Sequence, residues 1–225
     1  HVKWDDSTAI LSGDAMLIKS YQLLEQCDPA ILPQLLPLFS RTAAEVCEGQ
    51  QYDMDFEGRL DVSVAEYIEM IRLKTAVLLA GALKVGAICG GAGELDAQAL
   101  YEFGIGIGIA FQLKDDLLDV YGDTKDFGKE IGGDICCNKK TFLLISAMQK
   151  AEGDDKEELM KWITAKEFNR GEKVAAVTDI YDKLHLRSLT EMKMQEYYEQ
   201  AIEALRRVGR SEAEKEKLYQ LAERL

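Results

Sequence analysis

Apolar residues along the chain recur mostly at three- and four-residue intervals, the spacing of a buried helix stripe, and strand-like alternation occurs once, in GIGIGIAF at residues 104–111. The pattern predicts a nearly all-helical fold. Asp5 or Asp6 caps a first helix through SGDAMLIKSYQLLEQ, stopped at Asp28-Pro29. A second helix fits QLLPLFSRTAAEVCEGQQYDMD, after Pro33 and Pro37, with Gly58 beyond its end. Ser63 followed by Glu66 is a capping box opening a third helix, whose apolar face is Tyr67, Ile71, Leu78 and Ala82. Gly-rich KVGAICGGAGEL turns the chain into a long helix from Asp96 to Tyr121. That segment contains no proline, and GIGIGIAF runs unbroken into FQLKDDLLDVYGD, although each of the glycines costs a helix about 1 kcal/mol against alanine. YGDTKDFGKEIGGD reads as a loop, a helix starts near Lys140, and the charged last third reads as solvated outer helices. With no repeat or linker, residues 1–225 are read as a single domain.

The long helix carries the candidate chemistry. At 100° per residue Gly104, Gly108, Phe111, Asp115 and Asp119 share one face, with Gln112 beside them and Asp116 at its edge. Asp115 and Asp119 are a like-charge pair one turn apart near a helix C-terminus, where the dipole also disfavours acids. A cation would relieve both effects, and hard carboxylate oxygens suit magnesium, which takes one or two of them together with water and phosphate. Lys74 and Thr75 sit on or beside the apolar stripe of the third helix, between Ile71 and Leu78. A lysine there either snorkels to solvent or holds a phosphate. Lys129 and Lys139 flank the GGD turn.

Composition narrows the partners. A formal net charge of −13 disfavours nucleic acid and anionic membrane surfaces. Five cysteines without CxxC spacing argue against a zinc site and for a reducing compartment. No run approaches the ~18 apolar residues of a membrane span, so the expectation is a soluble, cytoplasmic protein without stable membrane insertion.

Five ordered segments, HVKWDDSTAILSGDA, EGQQYD, RLKTAVLL, FQLKDDLLDVYGD and FGKEIGGDICCNKKT, resemble the trans-type isoprenyl diphosphate synthases, the family that makes farnesyl, geranylgeranyl and longer prenyl diphosphates. The resemblance covers residues 1 to about 145. It implies an all-α isoprenoid-synthase-type helical bundle around a central cavity, a homodimer, and condensation of isopentenyl diphosphate with an allylic diphosphate. It implies Mg2+ held by Asp115 and Asp116 with Asp119 in support, and allylic diphosphate contacts from Lys74, Thr75, Gln112, Lys129 and Lys139, with Asp115, Asp116 and Lys74 catalytic. It further implies that helices carrying a first aspartate-rich motif and the isopentenyl diphosphate site precede His1. Two alternatives are a non-catalytic subunit of a heteromeric synthase and a class I terpene cyclase, though the metal motif of the latter is not found in the last third.

Overall fold

A computed structural model describes residues 2–122 and 131–224, and among them every regular element is a helix. Lys129 falls outside these residues. Helix α1 spans Asp6–Leu24, and its N-cap is Asp5, whose carboxylate accepts the Thr8 N–H at 2.8 Å. Helix α2 spans Leu32–Glu57, with Pro33 in the first turn where no N–H is needed and Gly58 as C-cap; Pro37 lies inside it. The expected capping box opens α3, Val64–Ile71: the Ser63 hydroxyl accepts the Glu66 N–H at 3.2 Å and Glu66 returns a carboxylate to the Ser63 N–H at 2.8 Å.

Between α3 and α4, Val77–Cys89, the chain makes one π turn at Arg72–Ala76, closed by the Val77 N–H on the Arg72 carbonyl. This turn corrects one expectation. Tyr67 and Ile71 are buried as predicted, whereas Leu78 is 59% exposed and Ala82 is exposed. An α-helix advances 100° per residue, so the residue added by the π turn swings the downstream stripe onto Ala76, Val77, Ala80 and Gly81, all buried.

Helix α5, Glu94–Tyr121, is the long helix expected. It packs against α4 on one side and α10, Leu186–Arg206, on the other. Its glycines explain how both approaches are possible. A Cβ at Gly104 would lie 2.5 Å from the Ala80 Cα, one at Gly108 2.5 Å from the Ala76 Cα, and one at Gly106, facing the opposite way, 2.8 Å from the Ala201 Cβ. The Gly104 and Gly108 positions are therefore filled by a neighbouring backbone, and they leave no room there for a substrate chain. The short helix α6, Gly133–Cys136, leads to α7, Phe142–Lys150, capped by Thr141. Helices α8, Gly153–Thr164, α9, Arg170–Lys183, and α11, Glu212–Glu223, complete the shell. Phe56, Met70, Ile71, Leu113, Phe142 and Ile145 form the apolar cluster that backs the acidic end of α5.

Candidate functional site

The acidic end of α5 meets the π turn and the α6–α7 connection, and α2 joins the cluster through Asp53. Asp116 turns inward and is 1% exposed, while Asp115 and Asp119 are half-buried. One Asp116 oxygen accepts the buried Tyr67 hydroxyl at 2.5 Å, and the other accepts Gln112 Nε2 at 3.0 Å. Gln112 Oε1 in turn accepts the Thr75 hydroxyl at 3.0 Å. A polar chain from Thr75 through Gln112 to Asp116 thus joins residues singled out on two separate helices.

Lysines stand around this chain. Lys139 Nζ lies 3.6 Å from Asp116 and 3.2 Å from Asp134. Lys74, in the π turn, pairs with Asp53 of α2 at 2.5 Å. The approach of the two backbones depends on Gly49, one turn before Asp53: a Cβ there would overlap the Lys74 amide and lie 2.7 Å from the Leu73 carbonyl carbon. The Asp53 charge also acts on Lys139, so both lysines share one neighbourhood. Asp119 binds the turn behind it, accepting the Asp134 N–H at 3.0 Å on its carboxylate and the Gly132 N–H at 2.6 Å on its carbonyl; Gly132 has a left-handed φ of 79°.

Burial dominates the electrostatics of the inner carboxylates. Burial pushes the Asp116 carboxyl up to about 6, against the opposing pull of the Lys139 charge and the Tyr67 hydrogen bond, with the Asp134 charge adding to the rise. Asp134 is raised too, by burial first and then by the Asp119 and Asp115 charges, again against Lys139. For Lys139 burial acts downward, but the Asp116 and Asp134 carboxylates outweigh it and hold its ammonium above the usual lysine range. Tyr67, buried beside Asp116, is pushed well above the ordinary phenol range.

These residues fit a magnesium ion through their donor chemistry. Among the described residues no ready-made cage of three or more ligands exists, and magnesium does not require one, because it retains waters and completes its shell with substrate phosphate. Asp115 and Asp119 offer hard oxygens at the partly exposed rim, and Asp116 and Asp134, raised chiefly by burial, stand behind them.

Tyr67→Phe is expected to destabilise the fold by roughly 1.5–3 kcal/mol, the range for a hydrogen bond to a charged group. That bond favours the ionised carboxyl, so losing it should raise Asp116 further. The deficit should be small at acid pH and grow as the pH rises through 6. Denaturation at several pH values, with carbon NMR titration of the carboxyl, checks it. An equal loss at every pH would show that Tyr67 acts by packing alone.

Sequence reasoning missed three members of this cluster. Asp53 stood in the quoted EGQQYD segment and Asp134 in the GGD turn, but neither shows its lysine partner without the fold. Tyr67 was read as apolar stripe, where only the need of a buried hydroxyl for an acceptor hinted at a polar role.

Comparison with known proteins matches the chain as a whole to one family. The Polyprenyl synthetase family model matches residues 1–182. The chain is 41% identical over 161 residues to a short chain isoprenyl diphosphate synthase of Methanothermobacter thermautotrophicus, covering 71% of this chain and 50% of that protein. It is 34% identical over 213 residues to a geranylgeranyl diphosphate synthase of Sulfolobus acidocaldarius, covering 93% of this chain and 64% of that protein. The chain therefore spans half to just under two thirds of the length of these relatives. The crystal structure of a geranylgeranyl pyrophosphate synthetase from Pyrococcus horikoshii Ot3 superposes with a TM-score of 0.90 at 32% identity, covering 99% of this chain and 68% of that one. The helical architecture is that of these synthases, and the chain belongs to the polyprenyl synthetase family.

Proposed function

We propose that this protein is a prenyltransferase that joins isopentenyl diphosphate head to tail, with trans geometry, to an allylic diphosphate, giving farnesyl or geranylgeranyl diphosphate. The observation that carries the reading is the polar chain Thr75–Gln112–Asp116, flanked by Lys139 and Lys74, in a family whose members include geranylgeranyl diphosphate synthases. In the reaction the allylic C–O bond breaks to leave a carbocation and diphosphate. The isopentenyl double bond attacks the cation, and a proton then passes to the departed diphosphate.

Negative charge grows on the leaving oxygen, and this chain supplies the groups to meet it. Lys74 and Lys139 offer ammonium groups to the diphosphate oxygens, Thr75 and Gln112 offer hydrogen bonds, and Lys129 is a further candidate contact. Asp115 and Asp116, with Asp119 in support, would hold magnesium, which supplies Lewis-acid stabilisation of the leaving diphosphate when bound. Helix α4 adds an apolar wall. A groove of about 940 Å3 is lined by Tyr21, Leu24, Phe39, Val46, Ala82 and Leu78, the last lying four residues after Lys74 in the chain. It is the apolar surface that suits a prenyl chain.

Among the described residues no helix is long and apolar enough to cross a membrane, which agrees with a cytoplasmic enzyme taking its diphosphates from water. A homodimer is part of the same reading.

Product analysis of the full-length protein with isopentenyl diphosphate and either dimethylallyl or farnesyl diphosphate, with and without magnesium, tests the reading. Lys74→Ala is expected to raise KM and lower kcat together, reducing kcat/KM about a hundredfold or more, because its charge acts on the bound diphosphate and on the developing oxyanion. Thr75→Val should cost less. Absence of any prenyl product from the unsubstituted protein defeats the proposal.

A further inference from the structure

Lys173 of α9 is a charged residue outside the cluster so far described. It is 1% exposed, and burial lowers its pKa from the ordinary lysine value. Its Nζ donates to Asn138 Oδ1 at 2.8 Å and to the Cys136 carbonyl at 3.4 Å, and it lies 4.2 Å from the centre of the Phe168 ring. None of these partners is a carboxylate. Burying an ammonium without one is expensive, and a core position would be filled more cheaply by methionine or leucine. Both hydrogen bonds of the buried charge go to the connection that carries Lys139.

That connection is held on several sides. Asn138 adopts a left-handed φ of 52°, which asparagine tolerates better than most side chains. Its side-chain Oδ1 accepts the Lys173 hydrogen bond while its Nδ2 donates to the Ile163 carbonyl at 2.9 Å, clamping the residue between α9 and the end of α8. Lys140 is buried as a peg, with Nζ on the Asn138 carbonyl at 3.0 Å and on the Glu57 carbonyl at 3.1 Å. Between the clamp and the peg, Lys139 alone turns to Asp116 and Asp134.

We propose that Lys173 and Asn138 are positioning residues that hold the 136–140 connection from behind, so that the Lys139 ammonium is presented to a diphosphate without the entropy cost of ordering the loop. The proposal rests on the reading of Lys139 as a diphosphate ligand. Pre-organisation of this kind changes affinity through a residue that never touches the ligand.

The test uses full-length protein with Lys173→Met, Asn138→Gly, Lys139→Ala and the double variant Lys139→Ala/Lys173→Met. Asn138→Gly keeps the left-handed backbone and removes only the clamp, so it poses the same question should Lys173→Met fail to fold. Hydrogen exchange of the 136–141 amides should accelerate about tenfold or more in Lys173→Met and in Asn138→Gly, with α5 unchanged. Calorimetric titration with magnesium and inorganic diphosphate should show affinity falling about tenfold for Lys139→Ala and about threefold to tenfold for Lys173→Met. The double variant should bind no more weakly than Lys139→Ala alone. Unchanged exchange overturns the anchoring, and additive losses in the double variant overturn the link to Lys139, each leaving the assigned function standing. Wild-type affinity in Lys139→Ala instead removes the reading of Lys139, and this inference with it.

Discussion

Asp115→Ala and Asp116→Ala are each expected to lower magnesium-dependent prenyl transfer by roughly 10²–10³-fold or more, the scale of deleting a preorganised stabiliser of transition-state charge, while the fold survives. The two carboxylates should fail for different reasons. Asp115 lies half-buried with its charge acting on Asp134, and its loss would remove the proposed ligand at the rim. Asp116 is the junction at which Tyr67, Gln112 and Lys139 converge, and its loss also releases those three groups.

The Asp116 carboxyl is raised in the fold from 3.8 to about 6, so the stability it contributes is complete below the unfolded value and is lost as the pH rises from there through 6. Near neutrality the ionised group therefore destabilises the unliganded protein, by about 3 kcal/mol on a conversion of 1.36 kcal/mol per pH unit. Asp116→Asn keeps the shape and removes that burden. It should unfold no earlier than wild type at pH 8 and still be inactive. Asp119→Ala should lose less activity, because Asp119 is assigned only a supporting role beside Asp115 and Asp116, and its carboxylate also holds the turn behind it through the Asp134 N–H. Turnover and thermal unfolding measured on the same samples decide the matter, and near-wild-type activity in either alanine variant at position 115 or 116 would falsify the metal assignment.

How much of this was legible in the chain depends on the range of the interaction involved. Caps are local, and Asp5, one of two candidates, and Ser63 with Glu66 were readable because each acts within four residues of its partner. The long helix was readable despite its glycines, since FQLKDDLLDVYGD keeps one period to its end. The π turn was not, because RLKTAVLL has an ordinary helical pattern, and the turn packs against Gly49 of α2, which lies far from it in the chain. For that reason the apolar face was followed correctly through Tyr67 and Ile71 and lost at Leu78.

The glycine face shows the same division. Periodicity placed Gly104 and Gly108 on the aspartate side of α5, but their neighbours, Ala80 and Ala76, come from the helix whose phase the π turn had changed. In the cluster, Asp115, Asp116, Asp119, Gln112, Lys74, Thr75 and Lys139 were legible from motif and resemblance. Their wiring was not: which carboxylate turns inward is decided by a tyrosine 49 residues away, and Lys74 finds its acid 21 residues earlier.

Gly49→Ala is expected to be among the most damaging single-methyl changes in the molecule. Its Cβ would overlap the Lys74 amide and lie 2.7 Å from the Lys74 Cα, so it meets backbone that no rotamer change can move. Overpacking typically costs about 1–3 kcal/mol, and a backbone obstacle points to the upper end. For a chain of this size that corresponds to a melting midpoint lower by roughly 6–12 °C. The damage should also reach the chemistry. The segment pushed away is the π turn that carries Lys74 toward Asp53 and Thr75 toward Gln112, so kcat/KM for the allylic diphosphate should fall even well below the new midpoint. Gly58→Ala is the control: nothing lies within 4 Å of a Cβ there and its φ is −84°, so both quantities should stay near wild type. Thermal unfolding and steady-state kinetics on the two variants give the answer. If Gly49→Ala behaved like Gly58→Ala, the close approach of α2 would not be what sets the π turn and the position of Lys74.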